Sequence, residues 1–180
     1  MTKTRPWLLA CAAFAALSQP TVATAQAGSC LDQDDVADAA IYAMPAIIQS
    51  VKDTCGPRLS SRGWLATKGD AYAQRFTAQQ AAAWPGTMRT IGALASKSGA
   101  GEARQMRTLM ATLPPGALRP MVDALIVQEL AGEIPVNDCG DIERALELIS
   151  PLPTQNAGAL VGLMLAQVDK RKGELDICSK

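Results

Sequence analysis

The sequence contains no histidine among its 180 residues. This absence excludes catalysis by a Ser-His-Asp or Cys-His group, and it excludes zinc or haem held by imidazole. An excess of charge of one sign is also missing, because 17 basic side chains balance 17 acidic ones. Nucleic acid is therefore not expected as a partner. Aromatic residues make up only 4% of the chain and apolar residues 48%, which is typical of one ordinary globular domain.

The pattern of residues 1–27 is typical of a cleaved signal peptide. A short basic start precedes an apolar run over 7–17, and the small-x-small sequence at 25–27 is a cleavage site. The run of about 11 apolar residues is shorter than the roughly 20 that a permanent transmembrane helix needs. We therefore expect cleavage before Gly28, no transmembrane segment afterwards, and an exported protein that is periplasmic or secreted. Residues 28–180 are expected to form a single helical domain.

The mature chain has the apolar periodicity of helices and lacks the sustained alternation of strands. This pattern predicts an all-α fold, a single compact bundle of about six to seven helices in which several are short or kinked by proline. The first helix is expected to begin near Asp34 and to end at Gly56, with a kink at Pro45.

Glycine and proline predict the bounds of the helices that follow. A loop over 57–69 is expected before a helix that begins at Asp70 and is interrupted by Pro85-Gly86. A later segment has large apolar side chains at helical spacing, which predicts that they face the core: Leu118, Met121, Val122, Leu125, Ile126 and Leu130.

The last helix carries two apolar stripes. Leu160, Val161, Met164 and Val168 are expected to face the core. Gly158, Gly162 and Ala166 recur every four residues, and such a stripe of small residues lets a second helix approach closely. We expect this second stripe to pack tightly inside the domain.

Four cysteines remain after loss of the leader, which contains Cys11. An even number in an exported chain predicts two disulfides, made by Cys30, Cys55, Cys139 and Cys178, and lipidation of Cys30 would leave an odd number. About 20 helical residues separate the first two by roughly 30 Å, too far for a disulfide. Two pairings survive: Cys30 with Cys139 and Cys55 with Cys178, or the exchanged arrangement. The wide spacing does not favour a metal site or a redox motif.

Candidate functional residues are few. Trp64 lies in the expected loop beside Arg62 and Lys68, and these three residues form a possible interaction surface with the tryptophan as its anchor. Glu143 and Glu147 are one helical turn apart and form a possible carboxylate pair for glycoside hydrolysis. Six methionines are expected on inward stripes, where they line an apolar pocket or simply fill the core: Met44, Met88, Met106, Met110, Met121 and Met164.

These observations favour an exported, non-enzymatic helical interaction or binding protein of the cell envelope. One alternative is a carrier of an apolar ligand or lipid in a cavity lined by methionine. A further alternative is a carboxylate-dependent hydrolase of envelope glycans. No cofactor or catalytic residue is predicted. No metal ion is predicted either, because the acidic residues near Asp34 lack the spacing of a calcium loop. The expected partner is an envelope protein or an apolar small molecule.

Overall fold

The computed structural model describes residues 30–97, 111–130, 133–172 and 175–178, together with positions 101, 104, 105 and 108. The expected signal peptide over 1–27 lies outside the described residues. Met106 and Met110, which belong to one of the expected helices, also lie outside them.

Six α-helices have defined bounds in this part of the chain. They are α1 (Gln33–Cys55), α2 (Trp64–Thr77), α3 (Gln80–Lys97), α4 (Pro115–Leu130), α5 (Cys139–Ile149) and α6 (Thr154–Lys172). Single turns of 3₁₀-helix follow α1 at Gly56–Arg58 and precede α5 at Val136–Asp138. The described residues contain no β-strand, so the predicted all-α bundle is confirmed.

Helix α1 is the centre of the bundle, because each of the other five helices packs against it. The Asp32 carboxylate caps its start by accepting a hydrogen bond of 2.8 Å from the Asp34 N–H. The helix runs to Cys55 and continues without a break through Pro45. Its predicted start and end are therefore confirmed. This central place accounts for the burial of the helix on several sides. Its buried residues are Val36, Ile41, Tyr42, Met44, Ile48, Ser50, Val51 and Cys55.

Helix α2 begins at Trp64, six residues before the expected start at Asp70. The reason is a cap supplied by another helix: Glu143 of α5 accepts a hydrogen bond of 2.8 Å from the Leu65 N–H. A carboxylate at a helix N-terminus satisfies a free donor and interacts favourably with the helix dipole. Because the cap comes from a residue far along the chain, the local sequence gave no sign of it.

The interruption expected at Pro85-Gly86 is wrong. Helix α3 continues through both residues, and the chain turns earlier, between Thr77 and Gln80. Gly86 lies so close to α1 that a Cβ atom there would be 2.2 Å from the Asp38 Oδ2 atom. We attribute the continuity of α3 to this packing against α1, which outweighs the local preference of proline and glycine to end a helix.

Helix α4 is attached to α1 and α3 by polar and aromatic contacts. The Tyr42 hydroxyl donates a hydrogen bond of 2.9 Å to the Asp123 carboxylate. Burial, and then the hydrogen bond to Asp123, raise the pKa of Tyr42. The Arg119 guanidinium lies 5.2 Å from the centre of the Trp84 ring. Of the expected inward residues on α4, Leu118 and Val122 are buried, but Leu125 is exposed.

The two disulfides join Cys30 to Cys178 and Cys55 to Cys139. The prediction that the first two cysteines bond only to the last two is confirmed, and the exchanged pairing is the one found. Cys55 and Cys139 are buried, so this bond joins the end of α1 to the start of α5 inside the core. Disulfides are typical of proteins outside the reducing cytosol, which suggests a non-cytoplasmic environment.

The other disulfide, Cys30–Cys178, lies where the two ends of the described chain meet. Leu31 and Ile177 form an isolated parallel bridge, with Leu31 N–H donating to the Asp176 carbonyl at 2.8 Å. Asp169 of α6 is buried, and its carboxylate accepts hydrogen bonds from the N–H groups of Leu175 and Ile177 at 2.6 and 2.8 Å. The disulfide and these hydrogen bonds therefore hold the end of α6 beside the start of α1. None of the described helices is both long and apolar enough to cross a membrane.

Candidate functional site: the outer face of helix α6

Helix α6 packs on α1 through its smallest residues. A Cβ atom added at Gly158 would lie 2.5 Å from the Ile41 Cγ1 atom, and one added at Gly162 would lie 3.2 Å from the Gln33 carbonyl oxygen. Ala166, one turn further on, is also buried. Close approach of two helix backbones requires such small residues. The tight packing predicted for this stripe is therefore found in the structure.

Of the larger apolar residues of α6, Val161 packs against the core cluster, and several others point away from α1. Leu160, Leu163, Met164 and Val168 are 36%, 48%, 59% and 51% exposed, and we call these four residues the outer face of α6. The expectation that Leu160, Met164 and Val168 face the core is wrong. Both stripes have helical spacing, but only the glycine stripe permits the short distance to α1 that the structure shows.

The outer face is apolar and uncharged, and the exposed polar side chain of Gln167 lies beside it. The four residues lie at spacings of three, four and eight along one helix, which places them side by side. They expose an area on the order of 400 Å², within the range of the largest apolar patches on monomeric proteins, which are often functional. No residue over 155–168 is charged. The surface can therefore make apolar contacts along about two and a half turns of helix.

The surface predicted around Trp64 has a different character. Arg62 and Lys68 are exposed, as an interaction surface requires, but Trp64 is the first residue of α2 and is half-buried. Its ring meets the edge of Tyr72 with a centroid distance of 5.5 Å, and Tyr72 packs in turn on Phe76. Most of the tryptophan thus belongs to the core cluster. Burial raises the pKa of Tyr72, against the opposing effect of nearby Arg75.

The carboxylates of Glu143 and Glu147 are held by separate partners. Glu143 caps α2 through the Leu65 N–H, whereas Glu147 forms an ion pair of 2.9 Å with Arg144. A general acid must donate a proton to a substrate, but Glu143 is engaged as a hydrogen-bond acceptor. Both carboxylates therefore have structural contacts, Glu143 with the start of α2 and Glu147 within α5.

The acidic residues at the start of α1 also have local roles. Asp32 caps the helix, and Asp35 accepts hydrogen bonds from two nitrogens of Arg89, at 2.9 Å from Nε and 2.6 Å from Nη2. Burial and the neighbouring Asp35 carboxylate raise the pKa of Asp38, although Arg89 acts in the opposite direction. Within the described residues, no group of three or more thiol, carboxylate or imidazole side chains is placed to hold a metal ion.

A cavity of about 410 Å³ lies between the start of α1 and the last turns of α3. Its walls are mostly apolar, and three charged residues also line it: Asp32, Asp35 and Arg89, of which the last two form an ion pair. A second cavity of about 160 Å³ lies beside the 3₁₀ turn after α1. Neither of these two cavities is lined by methionine, and Met44 is buried in the core whereas Met164 is exposed.

No protein-family model matches the chain, and neither a curated protein nor a solved structure matches it. Indications of function therefore lie in the described residues themselves. Among these, the outer face of α6 is a set of large apolar side chains on one helix that the bundle leaves uncovered. Sequence reasoning missed it because it assigned three of the four residues, Leu160, Met164 and Val168, to the core.

Proposed function

We propose that the chain is an exported, non-enzymatic binding protein of the cell envelope, and that it binds its partner through the outer face of α6. The observation that carries this proposal is the exposure of Leu160, Leu163, Met164 and Val168 on a helix whose other side is packed on α1. Contact with a partner would remove this apolar surface from water, which is favourable in proportion to the area buried.

Export is supported by two independent features. Residues 1–27 have the order of a signal peptide, with a basic start, an apolar run and a small-x-small site. The two disulfides would persist in a periplasm or outside the cell, where thiols are not kept reduced. A helical scaffold fixed at both ends by covalent bonds is well suited to present a rigid binding surface.

A binding role is favoured over hydrolysis because the residues proposed for catalysis have other contacts. Glu143 caps α2, and Glu147 pairs with Arg144. The proposal of a ligand carrier has less support than the docking surface, because the described methionines do not gather around either of the two cavities above.

The experiment places a photo-crosslinking amino acid at Met164 in the native host and compares it with the same label at Leu125. Both positions are exposed, but Leu125 lies on α4, outside the outer face. We expect one reproducible adduct from Met164, to lipid or to one protein, and none from Leu125. The same fractions give the N-terminus of the mature chain, expected at Gly28.

Two results would contradict the proposal. Identical crosslinking from both positions would show that the outer face has no special role in binding. Recovery of full-length chain from the cytosol with four free thiols would contradict export.

A further inference from the structure

The outer face of α6 is continued at its C-terminal end by a basic run. Lys170 is exposed, and Arg171 and Lys172 follow it in the sequence. The one acidic residue over 154–172 is Asp169, which is buried and whose carboxylate accepts hydrogen bonds from the tail. Among the described side chains of α6, those that are exposed are apolar, neutral polar or, at Lys170, cationic, and none is anionic.

Building on the proposed function, we propose that the partner of the outer face is the surface of a phospholipid bilayer that carries anionic headgroups. In this arrangement α6 lies along the membrane, with Leu160, Leu163, Met164 and Val168 among the outer parts of the acyl chains. The exposed Lys170 then lies at the level of the anionic headgroups. Interfacial helices bind through this combination of buried apolar area and attraction to anionic lipid.

Charge favours an anionic bilayer over a second copy of the chain. Two copies facing each other in parallel would bring their exposed Lys170 side chains together, whereas anionic headgroups attract each of them. The strength of binding to a bilayer also increases with the apolar area buried, and the outer face is already exposed for this contact.

The packing of α6 makes the surface available without unfolding. Contacts at Gly158 and Gly162 hold the helix on α1, while the Cys30–Cys178 bond and the carboxylate of Asp169 hold its C-terminal end. The outer face is therefore already formed before it meets a membrane. Binding to a preformed surface avoids the loss of entropy that ordering a disordered segment would require.

The test uses the whole mature chain with both disulfides intact. Its binding to vesicles of phosphatidylglycerol and phosphatidylcholine in equal parts is compared with its binding to vesicles of phosphatidylcholine alone, by flotation. We expect at least ten-fold tighter binding to the anionic vesicles, and we expect high salt to weaken it because salt screens the charges.

Three variants separate the contribution of the apolar surface to binding from that of the basic charge. Met164→Glu places a charge in the apolar surface and should weaken binding to anionic vesicles at least ten-fold. Lys170→Gln should weaken it about five-fold, the value of one basic residue near an anionic surface. Leu125→Glu makes the same kind of change on α4 and should leave binding within two-fold of the native chain. Circular dichroism and thermal unfolding establish that each variant is folded.

The outcomes distinguish the lipid partner from the proposed function. Absence of binding by the native chain, or equal binding by Met164→Glu, would overturn the lipid inference. Self-association that Met164→Glu abolishes, with no binding to vesicles, would also overturn it, because the partner would then be a second copy. In that last case the outer face would still be a docking surface, and the crosslinking at Met164 would still support a binding role.

Discussion

The substitution Gly158→Ala tests whether α6 packs directly on α1. A Cβ atom at this position would lie 2.5 Å from the Ile41 Cγ1 atom and 2.9 Å from the Ala37 carbonyl oxygen. Favourable contacts between carbon atoms lie at about 3.5–4.0 Å. The methyl group must therefore displace α6 or distort the side chain of Ile41, and the backbone oxygen of Ala37 has little freedom to move.

Two opposing contributions decide the size of the effect. Replacement of glycine by alanine inside a helix is intrinsically favourable by about 0.5–1 kcal/mol, because it restricts the unfolded chain. Overpacking in a tight contact costs about 1–3 kcal/mol. The two ranges combine to about 0–2.5 kcal/mol, so we expect Gly158→Ala to lower the free energy of unfolding by roughly 1 kcal/mol.

Gly92 of α3 provides the matched control, because a Cβ atom at this position would meet nothing within 4 Å. Gly92→Ala should raise the free energy of unfolding by about 0.5–1 kcal/mol. The same substitution is thus expected to lower the free energy of unfolding on α6 and to raise it on α3. Urea unfolding followed by circular dichroism, with the disulfides intact, measures both values, and unchanged slopes would establish that the comparison is valid.

A stabilised Gly158→Ala variant would refute the close packing of α6 on α1. It would mean that the helix lies further from α1 than the structure shows, with room for a side chain between them. The orientation of the outer face would then lose its physical basis, since only the close approach at Gly158 and Gly162 directs the large side chains outwards.

Three further predictions concern polar contacts. Glu143→Ala should destabilise the protein by about 0.5–2 kcal/mol by removing the cap from Leu65, whereas Glu143→Gln, which keeps an oxygen acceptor, should lose less; equal losses in urea unfolding would contradict this role. Tyr42→Phe should cost about 1 kcal/mol in the same measurement, because the hydrogen bond to Asp123 disappears, and an unchanged midpoint would show that this bond contributes nothing. The raised pKa of Asp38 means that the folded state holds this proton more tightly, so its ionisation reduces stability as pH rises from about 4 through the folded pKa. Asp38→Asn should therefore be more stable than the native chain at neutral pH, with a difference that shrinks towards pH 3, and a difference independent of pH would contradict the assignment.

Local periodicity was sufficient to predict the helical class and the bounds of α1. Asp32 and the acidic residues after it favour a helix start, and Gly56 follows its end, so the signals lie within a few residues of the structure they specify. The length of the same helix also excluded a bond between Cys30 and Cys55. A rigid rod sets a distance between its ends whatever the rest of the chain does.

The bounds of α2 and α3 could not be predicted in this way. The cap on Leu65 comes from Glu143, and the close contact of Gly86 is with Asp38 on another helix. Each contact joins residues that are far apart in the sequence, and its contribution to stability exists only when the helices are already packed. Local preferences of proline and glycine were outweighed for this reason.

The sequence by itself determined that the chain would form amphipathic helices and that its last four cysteines would cross-link the N-terminal helix to the C-terminal region. Only the tertiary structure decided which cysteine met which, and which stripe of α6 faced α1. Both stripes of α6 have the period of a helix, so periodicity cannot rank them. The distance between the backbones of α1 and α6 does distinguish the two stripes, because the short separation at Gly158 admits a hydrogen atom and no side chain.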